Sequence, residues 1–104
     1  MSEHEFESGT ETVSEEKIKV KEPRLYKVIL LNDDYTTMDF VVSILETIFL
    51  KSPPEAVRIM LAVHQAGRGV CGIYPRSIAE AKQDIVHKMA RTEGFPLRCL
   101  IERD

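Results

Sequence analysis

The hydrophobic positions after residue 22 first follow the pattern of a strand and then that of a helix. The run Leu25–Leu31 is aliphatic and β-branched, and its length is that of an ordinary buried strand. After a short polar stretch, apolar side chains recur every three or four positions, which is the spacing of one buried helix face. We predict a first helix over about residues 38–49, with Thr36 as its N-cap and Asp39 completing a shortened capping box.

The second helix has clear signals at both of its ends. Ser52 precedes two prolines and Glu55, so an N-cap residue, prolines that suit the first turn and a capping-box partner stand in order. Gly67 fits the left-handed geometry in which many helices end. These signals predict a helix over about residues 53–66.

A short apolar run over residues 68–74 predicts a second strand, which Pro75 ends. Ser77 and Glu80 have the spacing of another capping box and predict a third helix that reaches about residue 91. Its helical period predicts a buried stripe made of Ile78, Ala81, Ile85 and Met89.

Residues 97–102 alternate in the period of a half-buried final strand. The predicted order of elements is therefore β-α-α-β-α-β. Three strands cannot cover themselves, so we expect an α+β fold in which a small three-stranded antiparallel sheet packs on three helices. The length of 104 residues suffices for one such domain.

Residues 1–22 differ in composition from the rest of the chain. They contain seven glutamates and three lysines, for a net charge of −4, and only scattered apolar residues. Such a segment buries too little apolar surface to offset the entropy lost on ordering. We therefore expect a flexible acidic N-terminal tail over residues 1–22 and a core domain over residues 23–104. The composition leaves open whether the tail only increases solubility or serves as an interaction arm.

The composition also excludes several classes of function. A hydrophobic content of 43% and a net charge of −3 are those of an ordinary soluble globular protein, and the absence of a basic block argues against binding nucleic acid. The N-terminus is acidic where a secretory signal is basic, and the apolar segment 40–50 is too short to span a bilayer. We expect a cytoplasmic protein without a membrane partner, in which Cys71 and Cys99 are buried reduced thiols.

The polar run Asn32-Asp33-Asp34 is the first candidate for a functional site. It interrupts an apolar chain between the predicted first strand and first helix. Asn and Asp favour turns, so the run can be only a turn, although two carboxylates and an amide also suit a cation with an apolar neighbour. No nucleophile, phosphate-loop or metalloprotease motif accompanies the run, so we expect no enzymatic activity. His64 is the one histidine placed to join these side chains; because a second nitrogen or sulfur ligand is lacking, we predict no metal site and no cofactor.

His64 has two interpretations. At the end of the second helix it can simply interact with the last carbonyl groups. Its neighbours Met60 and Val63 also form an adaptable apolar wall. If the fold brings this helix end to the polar turn, the two together suit a ligand that carries one ammonium group and one large apolar group, such as the first residue of a peptide. Spacing permits this pairing but does not establish it.

Three ordered blocks of the sequence resemble the ClpS adaptor family. They are Tyr26–Val41, Met60–Gly67 and the run Gly69-Val70-Cys71-Gly72, and the similarity continues through the third helix to Leu97. Members of that family bind proteins with an N-terminal Leu, Phe, Tyr or Trp and deliver them to a ClpA-type AAA+ unfoldase and its ClpP peptidase. The resemblance therefore implies a monomeric, non-enzymatic adaptor for N-terminal degradation signals.

The resemblance also implies roles for individual residues. The α-amino group would be bound by Asn32, Asp34 and His64, with Asp33 shaping the same rim. Met38 would be a gatekeeper that disfavours β-branched N-terminal residues. The pocket for the side chain would be lined by Leu30, Leu31, Thr36, Met38, Val41, Met60, Val63 and Leu97, some of which are equally explained as plain core.

Two positions depart from the family pattern. Thr37 stands where the family often has proline before the gatekeeper. On the surface that would face the unfoldase, Glu80 and Lys82 match, but Ser77 replaces a glutamate, and Glu80 is also explained as a capping partner. The alternative to an adaptor is a non-catalytic protein-docking module on the same scaffold, resembling the C-terminal domain of the ribosomal stalk protein. A small-molecule enzyme is a more distant third, supported only by the two aspartates and the histidine.

Overall fold

The computed structural model describes residues 23–104, so the tail predicted over residues 1–22 lies outside the described part. The predicted order of elements, β-α-α-β-α-β, is confirmed. The elements are β1 (Leu25–Leu31), α1 (Met38–Thr47), α2 (Pro53–Ala66), β2 (Arg68–Pro75), α3 (Arg76–Thr92) and β3 (Arg98–Arg103). Among the described residues, no helix is long and apolar enough to cross a membrane.

The three strands form one antiparallel sheet with the order β2-β1-β3. The first strand of the chain is therefore the central one, and its last residue, Leu31, lies between Arg68 of β2 and Arg98 of β3. A register shift between Val28 and Ile29 marks a bulge in the pairing with β2. Because β2 begins opposite the end of β1, the turn that follows β1 and the helix that precedes β2 meet at the same end of the sheet.

The core lies between one face of the sheet and the helices. Val28 and Leu30 of β1 and Ile44 and Leu45 of α1 belong to it, and the side chains of all four are wholly buried. Cys71 and Cys99 are also buried in this core and are not bonded to each other. Burial raises the pKa of each thiol to about 12, so both are held in the protonated form.

The N-terminus of α1 differs from the prediction by one residue. Thr37, not Thr36, is the N-cap, and its hydroxyl accepts a hydrogen bond from the backbone N–H of Phe40 at 3.2 Å. Thr36 lies one residue further from the helix, and its hydroxyl donates to Asp33 Oδ2 at 2.7 Å. The helix ends at Thr47, two residues before the predicted end.

The predicted ends of α2 are confirmed. The Ser52 hydroxyl accepts from the backbone N–H of Glu55 at 3.4 Å, and Gly67 ends the helix with a φ of 88°, a value that suits glycine. The reciprocal half of the capping box is missing, since the Glu55 carboxylate pairs with Arg58 instead.

The prediction for α3 was wrong in two respects. The helix begins at Arg76 with Pro75 in the N-cap position, so Ser77 lies inside the helix and no side-chain cap forms. Glu80 accepts a hydrogen bond from Arg76 Nε at 3.2 Å. The apolar stripe predicted as core faces outwards, with both Ile78 and Ile85 46% exposed. The residues that pack inwards are Ala79, Val86 and Ala90.

Polar side chains on the inner side of α3 explain this orientation. Gln83 Nε2 donates to the carbonyl of Cys99 at 2.8 Å, and the N–H of Cys99 donates to His87 Nε2 at 3.0 Å. Arg91 donates to the carbonyl of Leu97 at 3.0 Å. These side chains, spaced by four residues, satisfy backbone groups at the edge of the sheet that would otherwise lack partners.

Candidate functional site

A cavity of about 250 Å³ opens between the β1–α1 loop and α2. This volume is below that of pockets for drug-sized ligands, about 300–1,000 Å³, and suits a single side chain. The cavity is lined by Asn32, Asp33, Asp34, Thr36, Met38, Val41, Met60, Val63 and His64. The polar turn and the histidine at the end of α2 therefore surround one space. The sequence pattern permitted this meeting but did not establish it.

A backbone hydrogen bond holds the two parts of this site together. The N–H of Asn32 donates to the carbonyl of Gly67 at 3.0 Å. Gly67 is the residue at which α2 ends, and His64 lies in the last turn of that helix. The position of the histidine relative to the loop is thus set by the glycine cap and by the pairing of β1 with β2.

The mouth of the cavity carries hydrogen-bond acceptors. Asn32, Asp34 and His64 are all exposed and contribute an amide oxygen, a carboxylate and an imidazole. Within residues 23–104, no ion pair or side-chain hydrogen bond engages the Asp34 carboxylate. The rim can therefore accept hydrogen bonds from a cationic donor without first breaking an internal pair.

Asp33 is bonded within the loop itself. Its Oδ1 accepts from the backbone N–H groups of Tyr35 at 2.8 Å and Thr36 at 2.7 Å, and its Oδ2 accepts from the Thr36 hydroxyl at 2.7 Å. Burial alone would raise the pKa of this carboxyl, but the hydrogen bonds from Thr36 and Tyr35 outweigh it and lower the pKa below its ordinary value. The carboxylate is thus held in its ionised form.

The wall of the cavity is apolar and graded in exposure. Val41 and Val63 are buried, Met60 is half-buried, and Met38 stands at the mouth with 45% of its surface exposed. On the far side of Val63 lies Gly69 of β2, where an added Cβ would approach Val63 Cγ2 to 2.8 Å. The glycine therefore allows α2 to pack closely against β2.

Three residues predicted as pocket lining lie elsewhere. Leu30 and Leu97 are almost wholly buried and belong to the core behind the cavity. Leu31 is half-buried and, because strand residues alternate between faces, points away from the helices. The other predicted lining residues lie around the cavity; they are Thr36, Met38, Val41, Met60 and Val63.

The predicted unfoldase-facing residues differ in their surroundings. Glu80 is exposed and paired with Arg76. Lys82 is half-buried: its Nζ donates to the carbonyl of Ile48 at 2.8 Å and lies 5.1 Å from the ring centroid of Tyr74. Glu80 is therefore open to a partner, whereas Lys82 is engaged in the fold.

Within residues 23–104, no group of three or more His, Cys, Asp or Glu side chains is arranged to hold a metal ion. His87, the other histidine in this range, instead accepts a hydrogen bond at the sheet edge.

The sequence of this chain is similar to those of known proteins. A family model described as "ATP-dependent Clp protease adaptor protein ClpS" matches residues 21–100. The chain is 50% identical to the ATP-dependent Clp protease adapter protein ClpS of Desulfatibacillum aliphaticivorans, covering 98% of each protein. It is 58% identical to the protein of the same name from Wolinella succinogenes, over 91% of this chain and 93% of the relative.

A solved structure is also similar. The structure of Agrobacterium tumefaciens ClpS2 bound to L-phenylalaninamide superimposes with a TM-score of 0.77 at 38% identity. The superposition covers 80% of this chain and 100% of that one. L-Phenylalaninamide, the ligand of that structure, carries a free α-amino group and a large apolar side chain.

Proposed function

Because this chain belongs to the ClpS family of ATP-dependent Clp protease adaptor proteins, we propose that it binds proteins through a bulky apolar N-terminal residue, namely Leu, Phe, Tyr or Trp. It delivers them to a ClpA-type AAA+ unfoldase, with ClpP as the peptidase. The observation that carries this proposal is an acceptor-rich rim placed directly over an apolar cavity the size of one side chain.

The rim explains why the ligand is an N-terminus and not an internal residue. An α-ammonium group has three N–H donors, and the Asn32 amide oxygen, the Asp34 carboxylate and a neutral His64 nitrogen offer acceptors of matching number. The carboxylate also balances the positive charge. An internal residue presents only one amide N–H and no charge, so it would leave this rim largely unused.

The wall explains the choice of side chain. Val41, Met60 and Val63 offer only aliphatic and thioether surface, so burial of an apolar side chain gains free energy in proportion to its area. Met38 stands at the mouth of the cavity, and we place the ligand's Cβ beside it. A branch at that carbon would collide with the methionine, and Met38 thereby disfavours N-terminal Ile and Val.

The outer side of α3 supports the delivery step. Glu80 is an exposed charge, and the apolar side chains of Ile78 and Ile85 lie on the same helix, each with nearly half of its surface in contact with solvent. Exposed apolar residues beside charged ones are typical of protein-binding surfaces. We assign the outer side of α3 to the unfoldase. Lys82 contributes indirectly, because its hydrogen bond to the carbonyl of Ile48 holds α3 against the end of α1. The core of residues 23–104 acts as a monomer in the cytoplasm without catalysis of its own.

The proposal is tested with peptides that differ only at the first residue. A peptide beginning with Phe or Leu binds the full chain, and acetylation of its α-amino group abolishes binding, as measured by fluorescence anisotropy. Substitution Asp34→Ala removes about 2–5 kcal/mol of binding free energy, because a charged partner is lost from a desolvated pair. Asp84→Ala is the matched control, since it removes an equal charge from the exposed surface of α3. Equal binding of the free and acetylated peptides would refute the role of the rim.

A second experiment addresses Met38. Met38→Ala widens the specificity towards peptides that begin with Ile or Val, while binding of the Phe peptide changes little. Titration of the protein with free phenylalaninamide shifts the NMR resonances of His64 in both proteins. An unchanged preference for Phe over Val in the variant would reject Met38 as the gatekeeper.

A further inference from the structure

We propose that Asp33 is a positioning residue: it builds the β1–α1 loop into its binding shape, while the negative charge that binds the ligand comes from its neighbour Asp34. This inference rests on the proposed function, and it assigns different roles to two adjacent carboxylates.

The first step is the number of acceptor positions that remain on Asp33. A carboxylate offers about four lone-pair positions. Three of them are occupied within the loop, by the N–H groups of Tyr35 and Thr36 and by the Thr36 hydroxyl, all at 2.7–2.8 Å. Asp33 therefore has at most one position left for a ligand, and using its charge would compete with the bonds that shape the loop.

The second step is the position of the three Asp33 hydrogen bonds within the β1–α1 loop. At one end, the N–H of Asn32 is bonded to the carbonyl of Gly67, and at the other end Thr37 caps α1. Asp33 supplies the bonds between these two fixed points. It thereby determines how far the rim residue Asn32 lies from Met38, the first residue of α1 and the gate of the cavity.

The third step is the contrast with Asp34. Asp33 is half-buried and Asp34 is exposed. The side-chain hydrogen bonds and ion pairs found within residues 23–104 include none to Asp34, whereas Asp33 accepts three. Both side chains line the cavity, but only Asp34 has its acceptors free to meet an ammonium group.

Asparagine is a matched substitute that distinguishes shape from charge. In Asp33→Asn, the amide oxygen can accept from the two N–H groups, and the amide nitrogen can donate to the Thr36 hydroxyl oxygen, so all three bonds keep a partner. Asparagine also favours this kind of turn. Asp33→Ala removes the bonds and the charge together, and Asp34→Asn removes only a charge.

Affinity for a Phe-initiated peptide is measured for these three variants and the unchanged protein. Asp33→Asn binds within about threefold of the unchanged protein, whereas Asp33→Ala binds about tenfold more weakly because the loop is no longer preorganised. Asp34→Asn loses at least about tenfold, since the ammonium group loses its counter-charge. If Asp33→Asn weakens binding as much as Asp33→Ala does, Asp33 acts through its charge and the inference is overturned.

A readout that needs no ligand keeps this test separate from that of the proposed function. Amide hydrogen exchange by NMR reports the N–H groups of Tyr35 and Thr36 directly. These amides are protected in the unchanged protein and in Asp33→Asn, and they exchange rapidly in Asp33→Ala. Equal exchange in all three proteins would overturn the positioning role. If instead the unchanged protein fails to bind any peptide while the exchange pattern appears as stated, the proposed function fails and the positioning role stands.

Discussion

Replacement of Lys82 by methionine tests whether this residue mainly stabilises the fold. The family resemblance predicts Lys82 to lie on the surface that faces the unfoldase. Lys82 Nζ donates to the carbonyl of Ile48, the C-cap residue of α1, at 2.8 Å. It also lies 5.1 Å from the ring centroid of Tyr74 and 5.7 Å from that of Phe49. The ammonium group thus joins α3 to the C-terminus of α1, where a positive charge is favourable.

The expected loss follows from these contacts. A hydrogen bond from a charged donor contributes about 1.5–3 kcal/mol, and a cation–π contact about 0.5–1 kcal/mol at an accessible site. Methionine keeps most of the apolar stem, and such contributions are not additive. We therefore expect Lys82→Met to lower the free energy of unfolding by about 1–3 kcal/mol, with each kcal/mol lowering the Tm by about 4–8 °C for a domain of this size.

The measurement is urea denaturation followed by circular dichroism, with Lys88→Met as the matched control. Lys88 lies on the same helix in an exposed pair with Asp84, at 3.3 Å, and such pairs contribute only about 0.3–0.5 kcal/mol. Equal unfolding free energies for the two variants would refute the structural role of Lys82. Binding of a Phe peptide to Lys82→Met below its melting temperature remains close to that of the unchanged protein, since Lys82 lies outside the cavity.

Three further outcomes follow from the same contacts. Burial lowers the pKa of His87 from its ordinary value of 6.5, so the folded state binds fewer protons than the unfolded chain. The free energy of unfolding is therefore greatest above pH 6.5 and falls as the pH drops below it. We expect His87→Gln to reduce this fall, as measured by urea denaturation between about pH 7.5 and pH 5.5. Cys71 and Cys99, with pKa values of about 12, do not react with a thiol reagent near neutral pH until urea unfolds the protein, and a rapid reaction of the native protein would contradict their burial. Gly67→Ala lowers the free energy of unfolding by about 1 kcal/mol, because the backbone there has a φ of 88°, which alanine adopts only with strain. An unchanged Tm would contradict this expectation.

Local chemistry was sufficient to predict the secondary structure wherever a signal had no competitor. Ser52 caps the start of α2 through its hydroxyl, and Gly67 ends the helix in the left-handed conformation, as their residue types predicted. At α1, by contrast, two adjacent threonines were available; Thr37 caps the helix, and the hydroxyl of Thr36 donates to Asp33. Sequence spacing did not rank these two neighbours.

The orientation of α3 shows a limit of hydrophobic periodicity. The helix has two possible inner faces, one with large apolar side chains and one with small ones. The face with Ala79, Val86 and Ala90 packs inwards, because small residues permit close approach and because Gln83 and His87 on the same side reach the backbone of Cys99. The apolar period alone favours the larger side chains, which here remain at the surface.

The candidate site could be predicted in its parts but not in its assembly. The acceptors of the turn and the apolar face of α2 are visible as residue types in the sequence. Their meeting depends on β1 being the central strand and on β2 pairing with it so that Arg68 lies opposite Leu31. That pairing joins residues far apart in the chain, and no local signal encodes it; the resemblance to a known family supplied what periodicity left open.

The cavity and the core share their walls, and this limits which residues can alter specificity. Val41 and Val63 line the cavity and are also part of the buried core, and Leu30 lies directly behind them in the same cluster. Truncation of such a residue leaves a cavity that destabilises the fold, with a cost of several kcal/mol for larger side chains. Met38, which is 45% exposed, is not under this constraint. Differences in ligand preference that leave the fold intact should therefore arise at the mouth of the cavity, in the loop that Asp33 holds in place, before they arise at its floor.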